Sequence, residues 1–157
     1  MIGLFWRSGL FNINRKHFYP PIKLWGPLLK IKHVCFVSLQ FDQDSADIAT
    51  AEQLFGTKIF RIPDVDLRND LNQTASICRA LSGVIAPSTT TAHLSASVGT
   101  RTIVIDRTKI WSPSINGFDA ILPQIEYIYP PPDEEWDWVF NKTRCAVNKW
   151  VSEITPD

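Results

Sequence analysis

Val84-Ile85-Ala86-Pro87-Ser88-Thr89-Thr90-Thr91-Ala92-His93-Leu94-Ser95-Ala96-Ser97-Val98-Gly99 decides how this chain folds. The apolar entry, the hydroxyl-rich turn and the run of small residues read as strand, loop and helix, with Gly99 as the stop. A helix opening on four hydroxyl side chains offers free backbone N–H groups and the positive end of its dipole to an anion. Ser and Thr are also ordinary N-caps, so capping and phosphate binding both stay open on this stretch alone.

Upstream, residues 2–6 (Ile-Gly-Leu-Phe-Trp) form a short apolar run before Arg7-Ser8-Gly9, which suits a buried strand and a tight loop. Pro20-Pro21 opens a helical stretch over 22–30, with Leu24, Trp25, Leu28 and Leu29 on one face. Residues 33–39 are β-branched and aromatic, as in a strand buried on both faces, and Gln40 sits at its C-terminal end. A helix over 45–55 stopped by Gly56, a short strand over 58–62 and a helix over 69–81 follow. Asp64, Asp66 and Asp70 lack the glycine and glutamate of a calcium loop. Asp70 instead belongs to the first turn of that helix, where its charge complements the dipole. Downstream come a strand over 102–106, a long loop over 107–119 holding Trp111 and Asn116-Gly117, a sixth strand over 126–129 and a last helix over 133–151.

At 157 residues and 45% hydrophobic, the chain has the size of one domain with a real core. Basic and acidic residues balance at 16 each, so no whole-molecule field argues for nucleic acid or a membrane as partner. The distribution is uneven: Arg7, Arg15, Lys16, Lys23, Lys30 and Lys32 precede the first acidic residue, Asp42, and draw an anion to the N-terminal part. Three cysteines, odd in number and without metal-ligand spacing, suit a reducing, cytoplasmic compartment. No run approaches membrane-spanning length, and the first residues lack the pattern of a signal peptide.

Strands alternating with helices imply an α/β fold: a doubly wound, mostly parallel, Rossmann-like sheet of about six strands with helices on both faces. In the usual order the winding reverses between the first and fourth strands, and ligands bind outside their carboxyl ends. The loop Arg7-Ser8-Gly9 and the loop Pro87-Ser88-Thr89-Thr90-Thr91 then meet at one crevice. Arginine is the preferred bidentate partner of phosphate, so the first loop brings cations, with Arg15 beyond it, and the second brings a helix N-terminus. Together they describe a diphosphate site. The glycine fingerprints of dinucleotide and P-loop sites are missing. A hydrolase built on Ser88 and His93 is weak, because the flanking glycines of a nucleophile elbow are absent and adjacent turns of one helix give poor triad geometry.

Gly3-Leu4-Phe5-Trp6-Arg7-Ser8-Gly9, Phe36-Val37-Ser38-Leu39-Gln40, Asp70-Leu71 with Thr74-Ala75, and Thr91-Ala92-His93-Leu94 to Gly99 together resemble the C-terminal half of heptosyltransferase-like glycosyltransferases. The nearest likeness is to C-terminal domains of bacterial tetratricopeptide-repeat proteins of that superfamily, distantly similar to O-linked N-acetylglucosamine transferases. Each motif is short; their order and spacing cover nearly the whole chain. The resemblance implies one half of a GT-B fold, a single domain over 1–157 that holds a nucleotide-diphosphate sugar, with the acceptor or repeat domain outside this chain. It implies no metal and no cofactor beyond the donor substrate, since amides and basic side chains neutralise the departing diphosphate.

By motif, Ser88 and Thr89 stand at the family's Asp-Thr pair and His93 at its histidine four residues later. The expected donor-binding residues are Trp6, Arg7, Ser8, Arg15, Gln40, Ser88, Thr89, Thr90, Thr91 and His93; no catalytic residue is assigned. For His93, a phosphate donor and a histidine packed between helix and sheet both stay open. Two departures bear on donor choice: Ser88 replaces the family's common acidic residue, and Arg101 stands where a proline often follows the glycine. Ser88 and the absent acceptor half also motivate an alternative, a degenerate non-catalytic module that uses the crevice or a surface for protein contacts.

Overall fold

A computed structural model describes residues 1–9, 16–41, 44–107 and 114–154. Its centre is a run of short parallel strands: β1 (Ile2–Leu4), β2 (Phe36–Ser38), β3 (Ile59–Phe60), β4 (Gly83–Ala86) and β5 (Thr102–Ile105). Two further short strands, β6 (Ser114–Ile115) and β7 (Phe118–Asp119), precede β8 (Ile125–Ile128), and the sheet order is β3-β2-β1-β4-β5-β8-β7-β6. Every pairing from β3 to β8 is parallel, so these strands end on the same side. The winding reverses between β1 and β4, where the doubly wound order predicted the crevice.

Side chains on successive strand positions leave opposite faces, and here both faces are covered. Ile2, Leu4, Ile85, Ile103 and Ile105 pack beneath α1 (Gly26–Leu29), α2 (Ser45–Phe55) and α5 (Trp136–Ile154), with Trp25, Leu28, Phe140 and Val147 fully buried. Trp25 and Phe140 meet at a ring separation of 5.2 Å; such pairs add about 0.5–1.5 kcal/mol beyond the area they bury. Val37, Val84, Ala86 and Val104 face the other way, against α3 (Leu71–Ala80) and α4 (Thr90–Ser97). On α4 the contact residues are Ala92, Ser95 and Ala96, all buried. Small side chains let this helix lie close on the sheet, and Ser95 Oγ sits 3.0 Å from Thr102 Oγ1 of β5.

Four sequence expectations change in detail. The stretch 22–30 is not one helix: a 3₁₀ turn, Ile22–Trp25, precedes a single α-turn, Gly26–Leu29, with Gly26-Pro27 at the junction. Asp70 is the N-cap of α3 rather than part of its first turn, and its Oδ1 accepts from Gln73 N at 2.9 Å. The loop over 107–119 contains the antiparallel β6–β7 hairpin, which turns on Asn116 (φ 54°) and Gly117 (φ 87°) and extends the sheet from six expected strands to eight. Asn-Gly is the turn pair that tolerates two successive positive φ angles. The last helix begins at Trp136 and runs to Ile154, three residues later at each end than the periodicity predicts. Trp111 lies outside the described residues.

Candidate functional site

The polypeptide leaves β1 and β4 side by side, with Leu4 opposite Ile85 in register and Phe5 N bonded to Ile85 O at 3.0 Å. The loops that follow therefore start from adjacent strand ends. Trp6 is buried, Arg7 and Ser8 are half-buried, and Ser88 and Thr90 are exposed on the second loop.

That second loop leads into α4 without a side-chain cap. Thr89, the N-cap residue, is extended (φ −143°, ψ 166°), and its hydroxyl donates to Pro87 O at 3.1 Å instead of accepting from the first turn. The opening N–H groups of a helix lack intrahelical partners, and here the Thr89 side chain does not take their place. The contrast with α3, capped by Asp70, is internal to the molecule. Of the four hydroxyls read as the helix opening, Ser88 and Thr90 are solvent-facing, Thr89 half-buried and Thr91 buried.

His93 departs from one of its two expectations. The ring is exposed rather than packed between helix and sheet, and Nδ1 lies 2.9 Å from Thr89 O. A carbonyl only accepts, so Nδ1 donates; Nε2 then donates to an anion only in the imidazolium form. The same contact takes one ring nitrogen out of any triad with Ser88.

The first loop is held by Gln40. Its Oε1 accepts from Trp6 N and Arg7 N, each at 3.2 Å, and its Nε2 donates to Arg7 O at 2.8 Å. Gln40 is only 5% exposed, so its amide is committed to loop backbone and acts on the crevice through the shape of that loop. Behind it, Gln40 N donates to Ser38 Oγ at 3.2 Å, and Ser38 Oγ donates to the buried Asp44 at 2.7 Å. Arg61 closes this network as the ion-pair partner of Asp44.

Asp47, in the first turn of α2, was not anticipated as part of the site. It accepts the Trp6 indole N–H at 3.0 Å and pairs with the Arg7 guanidinium. Both side chains thereby turn toward α2. With Tyr19, Lys23 and Thr50 they line a cleft of about 330 Å³. Ser88 lines a separate cleft of about 190 Å³ with Phe18, Tyr19, Pro87 and Asp106. Tyr19 borders both clefts. Arg15 lies outside the described residues. A larger cleft, about 560 Å³, opens at the opposite end of the sheet beside Arg101 and Gln124, where β5 and β8 begin. It contains Glu126, whose carboxyl burial pushes above its ordinary value against the pull of Lys142 and Lys149.

The fold places the crevice among known architectures. The chain matches Escherichia coli heptosyltransferase WaaC solved with ADP-2-deoxy-2-fluoro heptose, with a TM-score of 0.62 over 98% of this chain and 13% identity. The chain has the GT-B half-domain fold. A second structure of the same enzyme, with ADP, gives a TM-score of 0.60 and 14% identity over 98% of this chain. The match spans 43% and 44% of those chains. In sequence, the chain is similar to Protein FlbA of Caulobacter vibrioides, 33% identical over 111 residues, which are 71% of this chain and 19% of FlbA. No protein-family model matches. Among the described residues no helix is long and apolar enough to cross a membrane.

Proposed function

We propose that this GT-B half-domain binds a nucleotide-diphosphate sugar, with the diphosphate at the N-terminus of α4 beside the loop after β1. The observation that carries the reading is the uncapped first turn of α4 standing at the reversal point of a doubly wound sheet. A helix N-terminus carries roughly half a positive charge together with free N–H donors, and open α/β sheets bind ligands at this point. The fold likeness to a heptosyltransferase solved with ADP and with an ADP-sugar supports the same ligand class.

Ser8, Ser88, Thr89 and Thr90 supply the contacts nearest the phosphates, and Arg7 the cation, released in part from Asp47. Gln40 and Trp6 shape the loop, and Thr91 is buried support. Backbone amides and these side chains neutralise the diphosphate without a metal ion. The chain forms one donor-binding domain, works in the cytoplasm and completes its active site with an acceptor or repeat domain supplied outside these residues. Calorimetric titration with ADP, UDP, GDP and their sugar conjugates tests this: one series binds with micromolar to low-millimolar affinity. Absence of heat at millimolar ligand, together with an unchanged melting temperature, overturns it.

A second reading, the non-catalytic interaction module, draws on one observation: Arg7 is already neutralised by Asp47. Under that reading Asp47→Ala leaves nucleotide affinity unchanged, whereas under the donor reading freeing the guanidinium tightens it.

A further inference from the structure

β8 carries a glutamate where its neighbours are apolar. Side chains alternate along a strand, so Glu126 shares a face with Ile128, which packs in the cluster beneath α5. Its partners in register are Ile103 of β5 and Phe118 of β7. A carboxylate at such a position costs free energy unless something pairs with it. Burial accordingly raises its pKa, although Lys142 and Lys149 pull it down. Both lysines project from α5, seven residues and so about two turns apart, with Cys145 and Ala146 between them. All of these residues line the cleft of about 560 Å³.

The three charges act on one another across this cleft without meeting. Among the described residues the Glu126 side chain makes no hydrogen bond or ion pair, and neither lysine pairs with a carboxylate. Arg101 at the rim is engaged by Glu153. Two ammonium groups therefore remain against one carboxylate, an excess of one positive charge that suits a monoanion. A phosphate dianion meets repulsion from Glu126. A carboxylate on the lysines, with a hydrogen-bond donor beside it turned to Glu126, satisfies all three groups. Phe118, Pro123 and Trp150 offer walls to an apolar body. The volume of about 560 Å³ falls within the roughly 300–1,000 Å³ of sites that take small organic molecules.

We infer that the cleft between β8 and α5 binds a small amphipathic carboxylate, its anion on Lys142 and Lys149 and an adjacent ammonium or hydroxyl on Glu126. That is the chemistry of an α-amino or α-hydroxy acid with a large apolar side chain. The cleft lies where β5 and β8 begin, at the opposite end of the sheet from the N-terminus of α4, and shares no residue with the donor crevice.

The test follows amide shifts in this chain during titration with L-phenylalanine and L-phenyllactate, which differ only in the donor. Three controls each lack one feature: 3-phenylpropionate the donor, L-phenylalaninamide the carboxylate and acetate the apolar body. Inorganic phosphate serves as the plain anion. Saturable shifts at Glu126, Lys142, Cys145 and Lys149 are expected with at least one complete probe, which binds at least about tenfold tighter than any control or phosphate. The tighter of the two identifies the donor. The same probe slows labelling of the exposed Cys145 thiol. Glu126→Gln weakens that probe about tenfold and leaves 3-phenylpropionate unchanged or tighter. It does not lower the melting temperature at neutral pH, because it removes a carboxylate that burial disfavours. The wild-type series and the thiol readout need no variant to fold. No saturable shift with either complete probe at millimolar concentration, equal affinity for acetate or phosphate, or a Glu126→Gln variant that binds as wild type or melts lower overturns the site. None of these outcomes bears on nucleotide binding, so the donor reading is decided separately.

Discussion

Thr90→Pro isolates the α4 N-terminus without breaking the helix. Thr90 is the first residue of α4, and its predecessor Thr89 is extended at φ −143°, ψ 166°. Proline is favoured at the first helical position, where the N–H it lacks has no helical partner, and it asks the preceding residue to be extended, which Thr89 already is. Folding stability is therefore unchanged or raised by about 0.4–1 kcal/mol through restriction of the unfolded chain. The one group removed from the crevice besides the Thr90 hydroxyl is a backbone donor. A hydrogen bond to a charged acceptor contributes about 1.5–3 kcal/mol, so nucleoside diphosphate affinity falls by about tenfold to 150-fold. Thr90→Ala, which keeps the N–H and loses only the hydroxyl, is the control. Calorimetry gives the affinities and urea unfolding the stabilities. If Thr90→Pro binds as tightly as Thr90→Ala while both fold as well as wild type, the amides of this turn do not hold phosphate.

Other expectations concern the supports of the site and the core. Gln40→Ala removes three hydrogen bonds from a buried amide and leaves Trp6 N, Arg7 N and Arg7 O without it; two of the three are long, so the loss is about 2–4 kcal/mol rather than the sum of full penalties, read by urea unfolding with altered amide shifts at Trp6 and Arg7. A loss below about 0.5 kcal/mol contradicts its place as the loop's anchor. Gly83→Ala puts a Cβ 2.3 Å from Trp150 Cζ3, an overlap that costs about 1–3 kcal/mol or more and lowers the melting temperature measured by circular dichroism; an unchanged value contradicts the packing of α5 on β4. Cys145 is exposed, and Cys78 is buried with its thiol pushed from 9.0 up to about 11 by desolvation. A thiol reagent at pH 7.5 therefore labels Cys145 first and Cys78 only on unfolding. The folded state binds the Cys78 proton more tightly than the unfolded chain does, so stability drops as pH climbs from about 9 toward 11, and Cys78→Ala flattens that decline.

The sheet was legible because its strands are buried on both faces and so appear as unbroken apolar runs: β4 at 83–86 and α2 at 45–55 fall where the pattern puts them. The β6–β7 hairpin was not, because two residues on either side of Asn116-Gly117 are too few to show alternation. Leu24, Trp25, Leu28 and Leu29 have helical spacing, yet Gly26-Pro27 tightens the first part to a 3₁₀ turn, a local effect that periodicity averages away. The meeting of the two loops at adjacent strand ends followed from topology alone. What topology omits is where the side chains go. Arg7 looked like a phosphate ligand because arginine is one in general; its partner Asp47 lies 40 residues away and is brought to it only by the packing of α2. Gln40 was placed at the crevice for its position at the end of β2, and only the folded loop reveals that its amide is spent on backbone.

The central claim is that the N-terminus of α4 at the sheet's reversal point receives the diphosphate of a sugar donor. Amide chemical-shift mapping during titration with ADP, UDP and GDP addresses it most directly. Saturable shifts centred on Ser88, Thr89, Thr90 and Thr91, with Ser8 following, are the predicted result. No saturable shift at millimolar nucleotide, or shifts confined to the distant cleft at Lys142 and Lys149, would contradict it.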